Sequence, residues 1–310
     1  MVVKIPTLKL PNANNTEIPA IGLGCWGGVT KEERAKSKDW ILSALKSGYR
    51  LLDTAYGYGT EQYVGEAIRE SGIPREEIFV ITKLPTHHHR KVQESIDQSL
   101  KNLGMDYVDL YLMHFPQAVI DNDDENDLVD ENGNAMPIDD GITFNETYAQ
   151  MEEALAAGKA RAIGVSNFSI KTLTELLKTA KVVPALNEVE MHPLLAQESL
   201  KSFCDARGIL TCAYSPSGWA TVREDPTILE LAKKYGVEST QIIMAWHVKR
   251  GVIPIPKSSN ERRQRQNIDL PVLSDEDFAK VSAMDQGKRL CNAIGPDGKC
   301  YGWTAEQYGW

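Results

Sequence analysis

Eight short β-rich runs alternating with helical patterns constrain this chain more than any other feature. The runs are residues 18–24 (IPAIGLG), 49–54 (YRLLDT), 78–83 (IFVITK), 107–114 (YVDLYLMH), 160–166 (ARAIGVS), 185–190 (ALNEVE), 209–215 (ILTCAYS) and 252–257 (VIPIPK). Most are apolar at both alternate positions, as strands buried on both faces must be. Helical stretches at 31–46, 90–103, 145–157, 170–179 and 197–207 lie between them, with Thr30 as an N-cap and Gly104, Gly158 and Gly208 as stop signals. Two more, 227–235 and 240–250, separate the last two runs, so one is an insertion, and a final helix spans 275–284. The unbroken rhythm predicts an α/β fold: one (β/α)8 TIM barrel domain over residues 1–310, with a doubly wound open sheet as the alternative. Residues 1–17 read as an N-terminal β-hairpin outside the barrel. Residues 285–310 read as a tail over the active-site face, because Tyr301, Trp303, Tyr308 and Trp310 are too dense in aromatics for a disordered end.

The charge sum of −9 removes any general attraction for nucleic acid or anionic lipid. No run of 18 apolar residues predicts a membrane span, and the first residues lack a secretion signal. The five cysteines contain no C-x-x-C, which points to a reducing, cytoplasmic setting without a cysteine zinc site. His87, His88 and His89 read as a surface loop, not a metal site. The acidic segment 121–140 has a faint calcium-loop spacing, but Asn126 and Asn132 stand at the required Gly and Glu positions, so it reads as a solvated loop. Gly22, Gly24 and Gly27 fit G-x-G-x-x-G, yet the next helix begins too late, near Lys31, to present its N-terminus to a pyrophosphate.

In such a barrel the active site lies at the C-terminal ends of the strands. Those ends carry Asp53, Lys83, His114, Ser166, Asn167, Glu188, Glu190, Tyr214, Ser215, Lys257 and Ser258, with Tyr58 five residues past Asp53. Polar groups of this kind are rarely buried without a partner or a role. Lys83 beside the Tyr58 hydroxyl favours the phenolate, which predicts a Tyr58 pKa lowered by about one or two units from the usual value near 10.

The runs LDTAYGYGTEQYVGEAI, ITKL, LMHFP, GVSNF, AYSP and IPKS, in that order over most of the chain, resemble the aldo-keto reductase superfamily, with a closer likeness to fungal sugar-reductase members. The resemblance implies a catalytic tetrad of Asp53, Tyr58, Lys83 and His114, with Tyr58 as general acid. It implies NADPH as cofactor, with NADH weaker. Ser166, Asn167 and Glu188 would hold the nicotinamide carboxamide, with Tyr214 stacked on the ring. Ser215, Ser217 and Gly218 would line the pyrophosphate. Lys257, Ser258 and Arg263 would receive the 2′-phosphate, with Asn267 near the adenine. Trp26 would border the cofactor and, with Phe115 and Arg223, the substrate.

Three positions depart from the usual pattern: Glu188 in place of Gln, Phe115 in place of Trp, and the pair Ser259 and Asn260 in place of bulkier residues. The function implied is NADPH-dependent reduction of a small-molecule aldehyde, a sugar or a uronic acid such as D-galacturonate. The cations Arg223, Lys288, Arg289 and Lys299 would receive a uronate carboxylate. Other readings are a general aldose or glyceraldehyde reductase, a Schiff-base lyase using Lys83, and a slow cofactor-sensing subunit. The expected state is a monomer or weak dimer.

Overall fold

The computed structural model describes residues 5–121, 128–129 and 133–310. Strands β1 (Thr7–Leu10) and β2 (Thr16–Pro19) form the N-terminal hairpin, pairing Leu8 with Ile18 and Leu10 with Thr16. Eight parallel strands follow: β3 (Leu23–Gly24), β4 (Leu51–Asp53), β5 (Phe79–Leu84), β6 (Leu110–Met113), β7 (Ile163–Ser166), β8 (Leu186–Glu190), β9 (Leu210–Tyr214) and β10 (Ile253–Pro254). Each pairs with the next in sequence. The Gly22 N–H donates to the Pro254 carbonyl at 3.0 Å and the Gly24 N–H to the Pro256 carbonyl at 3.2 Å, so the last strand meets the first. This consecutive order and closure exclude the doubly wound alternative. A Cβ at Gly22 would lie 2.6 Å from the Leu51 side chain and one at Gly24 3.0 Å from the Ile255 carbonyl. The glycine-rich run therefore serves close strand approach, not a phosphate.

Helices α1 (Lys31–Ala35), α2 (Ser37–Ser47), α3 (Glu61–Ser71), α4 (Val92–Leu103), α5 (Phe144–Ala156), α6 (Ile170–Leu176) and α7 (Glu198–Asp205) cover the first turns of the barrel. After β9 come α8 (Trp219–Arg223), α9 (Pro226–Tyr235) and α10 (Ser239–Lys249), and after β10 come α11 (Glu261–Ile268) and α12 (Asp275–Ser282). The tail adds β11 (Lys299–Cys300), β12 (Trp303–Thr304) and α13 (Ala305–Tyr308). Among the described residues no helix is long and apolar enough to cross a membrane.

Several boundaries differ from the sequence reading. Run 18–24 divides, because Ile18 and Pro19 belong to the hairpin and only Leu23 and Gly24 pair in the barrel. Stretch 31–46 breaks at Lys36, whose N–H turns back to the Glu33 and Arg34 carbonyls. Helix α3 was hidden within the motif that follows Asp53, although Val64, Ala67 and Ile68 form its buried stripe. Helix α11 carries almost no apolar periodicity; Gln264 anchors it by donating to the carbonyls of Trp40 and Ser258. Asn126 and Asn132 of the calcium-like spacing lie outside the described residues.

Two apolar layers hold the barrel. Inward side chains Leu51, Phe79, Ile81, Leu110, Leu112, Leu186 and Ile253 fill its interior together with Leu10 and Ile18 of the hairpin. Leu51, Phe79 and Leu110 open their strands, so the hairpin plugs the N-terminal mouth. Outward side chains such as Leu52, Val80, Tyr111 and Met113 pack against the helices. Helices α3 and α4 approach closely at Gly65, where an added Cβ would stand 1.9 Å from the Leu103 carbonyl oxygen. Gly65→Ala should therefore cost about 3 kcal/mol, the upper range for overpacking. The check is a lower urea midpoint at an unchanged m-value.

Candidate active site

Strand parity decides which polar side chains enter the barrel. In β4, β5 and β6 the inward positions run Leu51–Asp53, Phe79–Ile81–Lys83 and Leu110–Leu112–His114. In β8 and β9 they include Leu186, Glu188 and Glu190, then Cys212 and Tyr214. Each strand thus lays apolar residues in the interior and ends its inward series on a polar group at the C-terminal rim. Tyr58 joins them from a short 3-10 turn (Tyr56–Tyr58) after β4, reversed by Gly59 at φ 60°.

Lys83 is completely buried. Its Nζ lies 2.5 Å from Asp53 Oδ1, 3.0 Å from the Thr54 carbonyl, 3.3 Å from Glu188 Oε1 and 3.4 Å from the Tyr58 hydroxyl. The Tyr58 and His114 rings meet edge to face at 5.6 Å. Burial pulls the Lys83 pKa down, but Asp53 and Glu188 outweigh it and hold the ammonium well above its usual value. Burial, together with the Asp53 charge, pushes Glu188 up to about 8. Tyr58 corrects the sequence expectation: burial raises its pKa and outweighs the opposing Lys83 cation. The resting hydroxyl keeps its proton.

One cavity of about 870 Å³ joins these groups to most of the other foreseen residues. Trp26, Asp53, Tyr58, His114, Phe115, Ser166, Asn167, Glu188, Tyr214, Ser215, Ser217, Arg223, Lys257, Ser258, Arg263 and Asn267 all line it. Lys83 lies beneath Tyr58, outside the lining. Gly218 also stays outside the lining; at φ 58° it turns the chain, and a Cβ there would meet Val222 at 2.1 Å.

The rim is internally tied. The Tyr214 hydroxyl donates to Asn167 Oδ1 at 2.7 Å, and Asn167 Nδ2 donates to the His114 carbonyl at 2.9 Å and to Ser166 Oγ at 3.1 Å. Both Asn167 amide N–H groups are thus engaged within the protein, and its oxygen accepts from Tyr214. Glu188 Oε2 is different: it is buried and has no partner. At the other end of the cavity Lys257 and Arg263 stand exposed. His247, neutral because burial lowers its pKa to about 3, bonds the Pro216 carbonyl and so steadies the segment after β9.

The tail packs as expected and completes the site. Glu190 Oε1 accepts from the N–H groups of Leu290 at 2.6 Å and Cys291 at 2.8 Å, and lies 3.0 Å from His192 Nε2. Beyond this latch Asn292 Nδ2 donates to the Tyr214 hydroxyl at 2.7 Å, and the Tyr301 hydroxyl donates to Asn292 Oδ1 at 3.1 Å. Both Asn292 and Tyr301 line the cavity, as do Thr240, Met244 and Cys291, none of which sequence reasoning assigned, and Ser259, which it noted only as a departure from the family pattern. The aromatic density of the tail was the only signal toward Tyr301, and Asn292 carried none.

Two expectations fail here. Of the four cations proposed near the substrate, only Arg223 lines the cavity. Arg289 lies over the Trp310 ring at 3.6 Å and 3.5 Å from Glu190, so it braces the tail. Residues His87, His88 and His89 are buried rather than a surface loop. Their rings present apolar faces, and Tyr56 packs on His87 and His88 at 6.0 and 5.0 Å. Ligand atoms of His87, His88 and Asp121 lie within 4.8 Å of one another, but Asp121 is already paired with Lys91, and His88 Nδ1 lies 2.9 Å from Ser95 Oγ.

The model of the Aldo/keto reductase family matches residues 20–286. The chain is 43% identical over 290 residues to glycerol 2-dehydrogenase (NADP(+)) of Saccharomyces cerevisiae, covering 91% of this chain and 92% of the relative. It is 38% identical to D-galacturonate reductase of Hypocrea jecorina, covering 86% of each. Among solved structures, an aldo-keto reductase of Bombyx mori in complex with NADP superposes with a TM-score of 0.85 at 35% identity, covering 97% of this chain and 99% of that one.

Proposed function

The chain belongs to the aldo/keto reductase family and is an oxidoreductase, and from that premise we propose that it reduces a small hydroxylated aldehyde with NADPH, Tyr58 donating the proton. The observation that carries this reading is the buried Lys83 held between Asp53 and Glu188 with the Tyr58 hydroxyl above it, at the floor of the long cavity.

The residues present suit a dinucleotide phosphate. Glu188, whose buried Oε2 has no partner, lines the cavity, as do two exposed cations, Lys257 and Arg263. Ser166, Asn167 and Glu188 would face the carboxamide and Tyr214 the ring face. Ser215, Ser217 and Gly218 would follow the pyrophosphate. Lys257, Ser258 and Arg263 would take the 2′-phosphate, with Asn267 at the adenine and Trp26 at the mouth. When bound, the cofactor supplies the hydride.

The protein handles the proton. Burial keeps Tyr58 protonated at rest, which makes it a donor at neutral pH. As the substrate oxygen takes that proton, a phenolate forms beside the Lys83 ammonium. At 3.4 Å and an effective dielectric of about 20, the attraction is worth about 5 kcal/mol before desolvation. Asp53 fixes the position of Lys83, and His114 would orient the carbonyl. Lys83 thus acts on the product of proton transfer rather than by lowering the resting pKa. The five unpaired cysteines support a reducing, cytoplasmic setting.

A neutral, hydroxylated substrate suits the tail side of the cavity, where Trp26, Phe115 and Tyr301 provide rings and Asn292 an amide. A uronic acid is the second reading, and it rests on Arg223 alone. That residue lies five positions past Gly218, the end of the segment read as the pyrophosphate strap, where its charge serves a phosphate equally well.

Tyr58→Phe should lower kcat by roughly 10²–10⁴-fold with NADPH affinity little changed. Retention of near wild-type kcat would place the acid elsewhere, first at His114. Removing Lys257 or Arg263 should weaken NADPH by about 1.5–3 kcal/mol and leave NADH almost unmoved. Equal losses for both cofactors would show that neither side chain reads the 2′-phosphate. For the substrate, kcat/KM should favour a neutral aldose over the matching uronic acid, and Arg223→Ala should not change the order. A uronate preference that disappears in Arg223→Ala would establish the second reading instead.

A further inference from the structure

The buried cluster around Lys83 contains one ammonium and two carboxyl groups. Three other titratable groups nearby add no compensating charge. Tyr58 on its turn and Cys212 and Tyr214 on β9 are all pushed up by burial and remain neutral. His114 lies across the Tyr58 ring. On β7, Ser166 pairs with Glu188 in register and donates its hydroxyl to the Glu188 carbonyl. Asp53 on β4 and Lys83 on β5 are therefore the charges that Glu188 faces. The Asp53 and Glu188 carboxyls share that single ammonium. Lys83 stands 2.5 Å from Asp53 but 3.3 Å from Glu188, so the ammonium sides with Asp53, and Glu188 is the carboxyl left to hold a proton.

Glu188 Oε2 is buried, has no partner, and belongs to a residue that lines the cavity. Its neighbour Asn167 has both N–H groups committed to Ser166 and the His114 carbonyl, and its oxygen accepts from Tyr214. Glu188 is thus the polar group of this rim still able to change what it offers. Protonated, it can donate to an amide oxygen and accept from an amide N–H, as a glutamine does. Ionised, it only accepts, and it brings a negative charge into a low-dielectric site.

We propose that Glu188 carries its proton when the site holds the reduced nicotinamide and releases it when the site holds the oxidised one, so that pH sets the preference between the two. This rests on the cofactor reading above. The reduced ring is neutral and gains nothing from a buried carboxylate, whereas the oxidised ring is a cation and is attracted to one. Glu188 is a positioning and charge-setting residue, distinct from the proton donor Tyr58. In the cofactor-free protein its pKa, raised to about 8 by burial and by Asp53, puts the change within reach of ordinary buffers. Reduction is favoured on the acid side and oxidation on the alkaline side.

The experiment measures Kd for NADPH and NADP⁺ by calorimetry at about pH 6.5 and about pH 9, in the wild-type protein and in Glu188→Gln. The 2′-phosphate is common to both cofactors, so its titration cancels in the ratio. Wild-type protein should shift toward NADP⁺ by about tenfold between these pH values, the effect of a one-unit difference in pKa between the two complexes. Glu188→Gln should hold a constant ratio. Infrared titration of the cofactor-free wild-type protein should show a carboxylic-acid carbonyl band that fades over the same range and is missing from Glu188→Gln. A flat ratio in the wild type, an equal shift in the variant, or no acid band overturns the proposal alone. Failure of both cofactors to bind overturns the cofactor reading as well.

Discussion

Everything at the active end of this molecule depends on keeping a lysine charged where no water reaches it. Isolating an ammonium in a protein interior costs several kcal/mol, and only close opposite charge with good geometry offsets that. Lys83 obtains it from Asp53 on one neighbouring strand, while the Glu188 carboxyl, from farther round the barrel, brings an oxygen to 3.3 Å. Neither carboxylate is near Lys83 in sequence. The register that pairs Asp53 with Ile81 and Lys83 with Leu112 sets the heights at which these inward side chains meet. A slip of one residue in any strand would turn its polar terminus outward into the helices. The hairpin plug and the apolar interior therefore serve the site indirectly, by making that slip costly.

A second buried carboxylate repeats the arrangement one step along the same strand. Glu190 shares its inward face with Glu188, but its partners come from the tail: the N–H groups of Leu290 and Cys291, with Arg289 nearby. This latch delivers Asn292 to the Tyr214 hydroxyl. A chain of hydrogen bonds then runs from Tyr301 through Asn292, Tyr214 and Asn167 to the His114 carbonyl. Asn167, Asn292 and Tyr301 all have left-handed backbone, at φ 64°, 50° and 46°. Such conformations persist when the surroundings over-determine them. The tail and the strand ends accordingly behave as one unit: the wall offered to the substrate is hydrogen-bonded to the groups assigned to the cofactor.

The protonation states follow from burial more than from pairing. Glu188 and Tyr58 both have raised pKa values, because desolvation disfavours their charged forms more than Lys83 favours them. Reading Tyr58 from sequence as a lowered phenol counted the cation and left out the lost water. In the folded site the same cation acts later, on the phenolate left after the proton has moved. Buried neutral acids beside one buried cation are a sensible store of protons for a reaction that consumes one.

Sequence alone determined the barrel and the identity of most polar groups at its rim. Short runs apolar on both faces, helical stops and strand-end polarity are local properties, and each survives translation into three dimensions. It also placed Asp53, Lys83 and His114 on adjacent strands and marked Glu188 as unusual. Tertiary structure decided the rest, because it depends on distances between residues far apart in the chain. Helix α11 shows no apolar stripe and exists because Gln264 finds the Trp40 and Ser258 carbonyls. Arg289 looked like a free cation and became a brace for Trp310 and Glu190. The histidine run looked polar and proved buried, because imidazole faces pack against Tyr56. Asn292 has no signature in its neighbours, and only the Glu190 latch sets it against Tyr214. Which carboxyl keeps a proton is likewise invisible in sequence, since it turns on a difference of less than 1 Å in two distances from one buried nitrogen.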